Sequence, residues 1–169
     1  AEAWWLDKFE TASSSKYIHN PKEVHVFDGL DPNDRVILMG GWDGHVRKWD
    51  LSASDDDGNA INSYVYVGPI ASENFGMVRL NELRVQLGKN SNDVTASVFT
   101  GDNAEDAYSQ TTAHFTATFS AGRNVSERRR ATAHAMYLKL GNSTAAQRWT
   151  LERAEVDIAL TTRKFARIY

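Results

Sequence analysis

Through the second half of this 169-residue chain, apolar and polar side chains alternate with a period of two, and the 3.6-residue period of an amphipathic helix is almost absent. Leu83, Val85 and Leu87 alternate with Arg84 and Gln86, and Val94, Ala96 and Val98 alternate with Thr95 and Ser97. Phe115, Ala117 and Phe119 alternate with Thr116 and Thr118, and Met136, Leu138 and Leu140 with Tyr137 and Lys139. Val156, Ile158 and Leu160 continue the pattern around Asp157. Each run reads as a strand with one buried and one wet face, the pattern of antiparallel sheets. Turn-forming stretches separate the runs: GKNSND (88–93), FTGDNAED (99–106), SAGRN (120–124) and LGNSTAAQ (140–147). The expected fold is therefore all-β, an antiparallel, jelly-roll-like β-sandwich. One short helical turn is predicted at NAEDAY (103–108), capped by Asn103. In the last strand Trp149 and Leu151 share one phase, while Ala154, Val156 and Ile158 share the other. A β-bulge near Glu152–Arg153 would reconcile them.

The first sixty residues read differently. AEAWWLDKF opens with the adjacent pair Trp4 and Trp5, and TASSSKYIHNPKE (11–23) is polar and loop-like. After a turn at GLDPNDR (29–35), RVILMGG (35–41) is a short apolar strand and HVRKWDL (45–51) the strand that returns. Between them the Asp-Gly of WDG (42–44) predicts a two-residue hairpin turn. Val46 and the stem of Lys48 fall on one face of the returning strand, and His45, Arg47 and Trp49 on the other. The expected organisation is an N-terminal extension with a propeller-blade-like hairpin (1–54), an acidic linker (55–61) and a β-sandwich domain (62–169).

Composition narrows the function classes. The chain has no cysteine, which excludes a disulfide scaffold, a thiolate zinc site and a cysteine nucleophile. No run of 18 apolar residues is present, so no membrane-spanning helix is expected. The opening segment has neither a basic start nor an apolar signal core, so no signal peptide is expected there. The net charge of −3 argues against a dedicated nucleic-acid binder. That charge is unevenly spread. Residues 1–88 carry 8 basic against 14 acidic residues, a net of −6, and residues 89–169 carry a net of +3. Such a split suits either head-to-tail contact between copies or chance.

The candidate chemical motifs are weak. Asp55, Asp56, Asp57 and Gly58 suggest calcium, but an EF-hand loop counted from Asp55 places Ala60 where Gly is needed and Tyr66 where Glu is needed. The five histidines show no metal-ligand spacing, although His114 and His134 both lie in strand patterns. Neither a nucleophile elbow nor a phosphate-cradling glycine loop occurs, and no active site or cofactor is expected. Arg123, Arg128, Arg129 and Arg130, with Arg163, Lys164 and Arg167, form the main positive feature, suited first to protein–protein salt bridges. It lacks the interleaved aromatics of single-strand nucleic-acid binders. Asn124 and Asn142 each open a glycosylation triplet. VILMGGWDGHVRKWD (36–50) matches the last two strands of a propeller blade, but the pattern occurs once, and a repeat architecture needs several copies. It is either the tail of a propeller or an ordinary hairpin.

In order along the chain, the early tryptophans, GGWDGHVRKWD, the DDDG stretch, SYVYVGPI (63–70), FTGDNAEDA (99–107), AGRN (121–124) and RWTLERAEVDIA (148–159) resemble the C-terminal region of tail nozzle, or tail tubular, structural proteins of short-tailed bacteriophages and their prophage relatives. The resemblance implies a non-enzymatic virion subunit, assembled in the bacterial cytoplasm into a ring, usually a hexamer. Its partners would be copies of itself and neighbouring tail or adaptor proteins, with DNA passing through the ring. Under that reading Trp4, Trp5, Arg123, Arg128, Arg129 and Arg130 are the candidate interface residues. The competing class is a β-sandwich module that binds a carbohydrate or a receptor, with Trp42 as its candidate ligand contact.

Overall fold

The computed structural model describes residues 21–31, 34–72, 76–124 and 130–161. The chain divides into two compact units, residues 1–62 with 143–147, and residues 63–142 with 148–169.

In the first unit β1 (Pro21–Phe27), β2 (Val36–Gly41) and β3 (Val46–Lys48) form an antiparallel meander in that order. β1 starts inside the stretch expected to be loop and carries its own alternation, Val24 and Val26 against Glu23 and His25. The turn between β2 and β3 differs from the two-residue form expected. Gly44 N–H donates to Gly41 C=O and Gly41 N–H to His45 C=O, which closes a three-residue loop. Within that loop Gly44 alone takes a positive φ, of 82°. This is a type I turn followed by a left-handed residue, the usual three-residue hairpin. The true two-residue turn lies in the acidic stretch expected to be a linker. There β4 (Asp55–Asp56) pairs with β5 (Asn59–Ala60) across Asp57 and Gly58. Both turn residues have positive φ, 52° and 81°, as a type I′ turn requires.

The second unit is a β-sandwich. One sheet runs β6 (Ser63–Ala71), β12 (Ala135–Asn142), β8 (Val94–Gly101), β9 (Phe115–Phe119). The other is built on β7 (Met77–Leu87), flanked on one side by β13 (Leu151–Thr161) and on the other by the short β10 (Gly122–Arg123) and β11 (Ala131–Ala133). All pairings are antiparallel. The core is the meeting of two inner faces: Val78, Leu80, Leu83, Val85 and Leu87 of β7 with the alanines of β11 on one side, and the inward residues of β8, β9 and β12 on the other. Leu83, Val85 and Leu87 and the inward residues of β8, β9 and β12 are alternating positions read from the sequence, whereas Val78, Leu80 and β11 were not among them, and Ile158 and Leu160, expected on a buried face, are exposed because β13 lies at the edge of its sheet. α1 (Ala104–Ser109) is the expected helical turn, and Asn103 caps it by accepting the Asp106 N–H at 2.8 Å.

Two bulges keep the phases consistent. Leu151 pairs with Leu87 and Arg153 with Gln86, which leaves Glu152 as the extra residue near the position expected. Its carboxylate accepts from Gln86 Nε2 at 2.7 Å. The second bulge lies in β7. Asp157 pairs with Glu82 but Ile158 with Leu80, so Asn81 is inserted. That insertion lets Val78 and Leu80 point inward along with Leu83, Val85 and Leu87, although the two sets have opposite parity.

The core position predicts a large penalty for truncation. Leu83→Ala should lose about 2–5 kcal/mol in urea unfolding, the range for a buried leucine that leaves a cavity. Leu160→Ala, at a position 62% exposed on β13, should shift stability by less than about 0.5 kcal/mol.

Candidate functional site

Of the residues singled out in the sequence, Trp4, Trp5, Arg128, Arg129, Arg163, Lys164 and Arg167 lie outside the described residues. Arg123 sits on β10 opposite Gln86, whereas Arg130 precedes β11 near Leu80. Six residues of extended β7 separate the two, about 20 Å, so these two arginines do not form one patch. Arg123 faces a groove of about 610 Å³ on the outer side of its sheet, shared with Arg84, Gln86, Asn124, Arg153 and Glu155. Its guanidinium neighbours are already matched by carboxylates: Arg84 by Glu82 and Glu155, and Arg153 by Glu155. The two sequon asparagines hold backbone. Asn124 Nδ2 donates to the carbonyls of Ser120, Gly122 and Val85, and Asn142 Nδ2 to that of Asp93. Among the described residues no three His, Asp or Glu side chains converge as metal ligands.

In the first unit Trp42 is 64% exposed at the β2–β3 loop, with Lys22 Nζ 5.2 Å from its ring centroid. The polar centre of this unit is Arg47. Its guanidinium donates to both carboxylate oxygens of Asp43, at 3.0 and 2.6 Å, and to Asp57 at 3.1 Å. One side chain thereby ties the β2–β3 loop to the β4–β5 turn. The Arg47 hydrogen bonds, helped by the His45 N–H, hold the Asp43 carboxyl far below the usual carboxylate range.

Among the described residues of this unit the apolar side chains are exposed or at most half-buried. Cross-strand register places Val24, Val26, Ile37 and Met39 on one face of the β1–β3 sheet with Arg47. Phe27, Val36, Leu38 and Val46 share the other. Val24 is 61% exposed and Val46 69%, and none of the described residues from 21 to 62 is buried.

A surface that the sequence reading did not single out lies on the outer face of the sheet containing β12. Lys139 pairs with Tyr66 of β6 and Ser97 of β8, Tyr137 with Phe99, and Gly141 with Tyr64 and Thr95. Tyr64, Tyr66, Tyr108 and Tyr137 form a row, with successive ring centroids 5.6, 5.5 and 5.4 Å apart. Phe99 closes under Tyr66 at 6.2 Å. Two close approaches set this row. A Cβ on Gly101 would lie 2.4 Å from the Ala107 nitrogen, so α1 seats directly on β8 and brings Tyr108 to the sheet. A Cβ on Gly141 would lie 2.8 Å from Tyr64 Cβ, so the glycine leaves room for that ring. Burial, reinforced by Tyr108 and Tyr64, pushes the Tyr66 phenol up and keeps it protonated. The signal was present as Tyr64, Tyr66 and Tyr137 on the wet phase of their strands, but their adjacency depends on pairings some seventy residues apart in the chain.

No family model matches the chain, and no curated protein matches it at a significant level.

The depressed Asp43 pKa generates a titration prediction. A carboxylate with a lowered folded pKa adds stability above its unfolded value of about 3.9, and that stability is lost as pH falls through the folded value. In an NMR carboxyl titration Asp43 should stay ionised through the range near pH 4 where ordinary carboxylates protonate. Arg47→Gln should move its midpoint up toward that range.

Proposed function

We propose that the chain is a non-enzymatic structural subunit of a bacteriophage virion tail, part of a nozzle or tube ring through which the genome passes. It would work by packing against copies of itself and against neighbouring tail or adaptor proteins after assembly in the bacterial cytoplasm. The observation that carries this reading is the β1–β3 sheet. A sheet of three short strands needs a covered apolar face to be stable, and this one presents large apolar side chains on both faces with no buried residue among those described. That is the condition of a single layer designed to sit between two others, as in blade and stacked-repeat architectures.

Charge supports the same reading. The first unit carries 6 basic against 12 acidic residues, a net of −6, and the second 13 against 10, a net of +3, so the charge asymmetry of the sequence runs between the two units. Two different, oppositely charged surfaces suit a heterologous contact, which closes into a ring when the rotation allows. The resemblance in strand pair, linker and sandwich motifs supplies the choice of a tail ring among such assemblies.

Light scattering after size exclusion tests this. A discrete multimer, of about six copies if the ring is hexameric, should form at low salt and weaken at high salt as the charges are screened. Ile37→Lys together with Val24→Asp, on one face of the open sheet, should shift the mass toward the monomer while leaving the far-ultraviolet circular dichroism unchanged. A salt-independent monomer, unaltered by those substitutions, would count against the assembly role.

A further inference from the structure

The two outer faces of the sandwich have opposite chemistry. On the β7 sheet the outward positions are charged: Arg79, Glu82 and Arg84 face Arg153, Glu155 and Asp157, largely paired with one another. This is an ordinary solvated surface. On the strands of the β12 sheet the outward positions are Tyr64, Tyr66, Tyr137 and Phe99, then Thr95, Ser97, Thr116 and Thr118, with one charge, Lys139. The helix α1, which seats on this face and supplies Tyr108, also carries Glu105 and Asp106, the latter engaged by the Asp102 N–H and Gln110 Nε2. Tyr64 is 52% exposed and Tyr108 60%. Lys139 Nζ lies 4.5 Å from the Tyr64 centroid and 5.7 Å from that of Tyr66. Among the described residues it makes no ion pair. Its ammonium is therefore held by ring faces rather than by an acid, with its donors unspent on a carboxylate.

We propose that this face binds an acidic polysaccharide, a glycan chain bearing sugar carboxylates. Half-exposed phenol rings offer apolar surface to the C–H faces of sugar rings, and their hydroxyls bond to sugar hydroxyls at the edges. The adjacent Thr and Ser side chains extend that hydroxyl surface. Lys139, set against the Tyr64 and Tyr66 rings and in no ion pair among the described residues, selects an anionic sugar unit by charge complementarity. Nucleic acid fits less well, because a single-strand site needs a cationic groove that tracks successive phosphates and this face has one cation. The face is preorganised: the rings stand on paired strands, and the Gly101 and Gly141 approaches fix the helix and Tyr64 in place. The site is distinct from Trp42 and uses neither face of the β1–β3 sheet on which the ring proposal rests.

Affinity electrophoresis of the full chain through gels containing polygalacturonate, alginate or hyaluronan tests the proposal, with a cellulose-derived neutral glucan gel and a thymidine oligonucleotide as comparison probes. Retardation by at least one acidic polymer, stronger than in the neutral gel or with the oligonucleotide, is expected. Tyr108→Ala and Tyr64→Ala should each weaken the apparent affinity by tenfold or more. Lys139→Gln should abolish the preference for the acidic over the neutral polymer, and Tyr64→Phe should retain most of the binding. Urea midpoints within error of the parent would show that these exposed substitutions leave the fold intact. Failure to bind any of the three acidic polymers would overturn the proposal. So would binding that survives both alanine substitutions, stronger binding to the oligonucleotide, or a Tyr108→Ala effect on multimer mass rather than on retardation. The last result would identify the face as a protein contact. Loss of glycan binding with the multimer intact would leave the ring proposal standing.

Discussion

The interdigitation of β7 with β12 and β8 holds the second unit together. Leu80, Leu83 and Leu87 from one sheet fill the space against Leu138, Leu140 and Val98 from the other, all at 1% exposure or less. A strand can offer only alternate residues to one side. A long strand crossing a sandwich therefore needs a device to keep its apolar set inward as its sheet twists. In β7 the device is the inserted Asn81, whose side chain accepts from Arg79 Nε and donates to Asp157, so the bulge carries its own hydrogen bonds. Its partner β13 makes a matching adjustment at Glu152. The outward faces inherit their register from these bulges, including the ion pairs that line the Arg123 groove.

The first unit follows the same rule of alternation with a different outcome. Its strands alternate, pair and turn correctly, yet none of its described residues from 21 to 62 is buried. What organises it locally is polar: Arg47, between Asp43 and Asp57, joins two turns that both depend on an Asp-Gly pair. A polar clasp of this kind specifies geometry but supplies little of the apolar burial that stabilises a domain. A sheet whose described apolar residues stay at least partly exposed thus gives the assembly proposal its physical basis, whereas the sandwich buries a core of its own.

Much of the sandwich was legible in the sequence. The inward phases of β8, β9 and β12, the Asn103 cap and the bulge at Glu152 follow from patterns within a dozen residues. The misreadings also have local causes. An Asp-Gly pair is compatible with both two- and three-residue hairpin loops, and the flanking pairing, Gly40 with Val46 as against Asp56 with Asn59, decides between them. β1 was hidden because its alternation is brief and its apolar residues stay exposed, so it carries less contrast than a core strand. The Asn81 bulge was missed because the run before it, Val78 and Leu80, is internally regular and only its phase relative to Leu83 is anomalous. Tyr137 falls on the wet phase of its strand, and nothing in one strand's pattern says which residues of other strands stand beside it.

Within the sequence alone the β-rich character of the chain, the inward phases of β8, β9, β12 and the Leu83–Leu87 half of β7, and most of the turns were already set. Those properties depend on side-chain phase and backbone preference over a few neighbouring residues. The tertiary structure alone decided which wet face became charged and which became an aromatic row with a single ammonium. It also decided that the basic residues at 123 and 130 stand apart, and that the described apolar residues of the N-terminal sheet stay at least partly exposed. These outcomes depend on cross-strand register between segments distant in the chain, such as Tyr64 with Gly141 and Tyr66 with Lys139. A one-residue slip in that register would turn every outward side chain inward, so adjacency on a face exists only once the pairing is made.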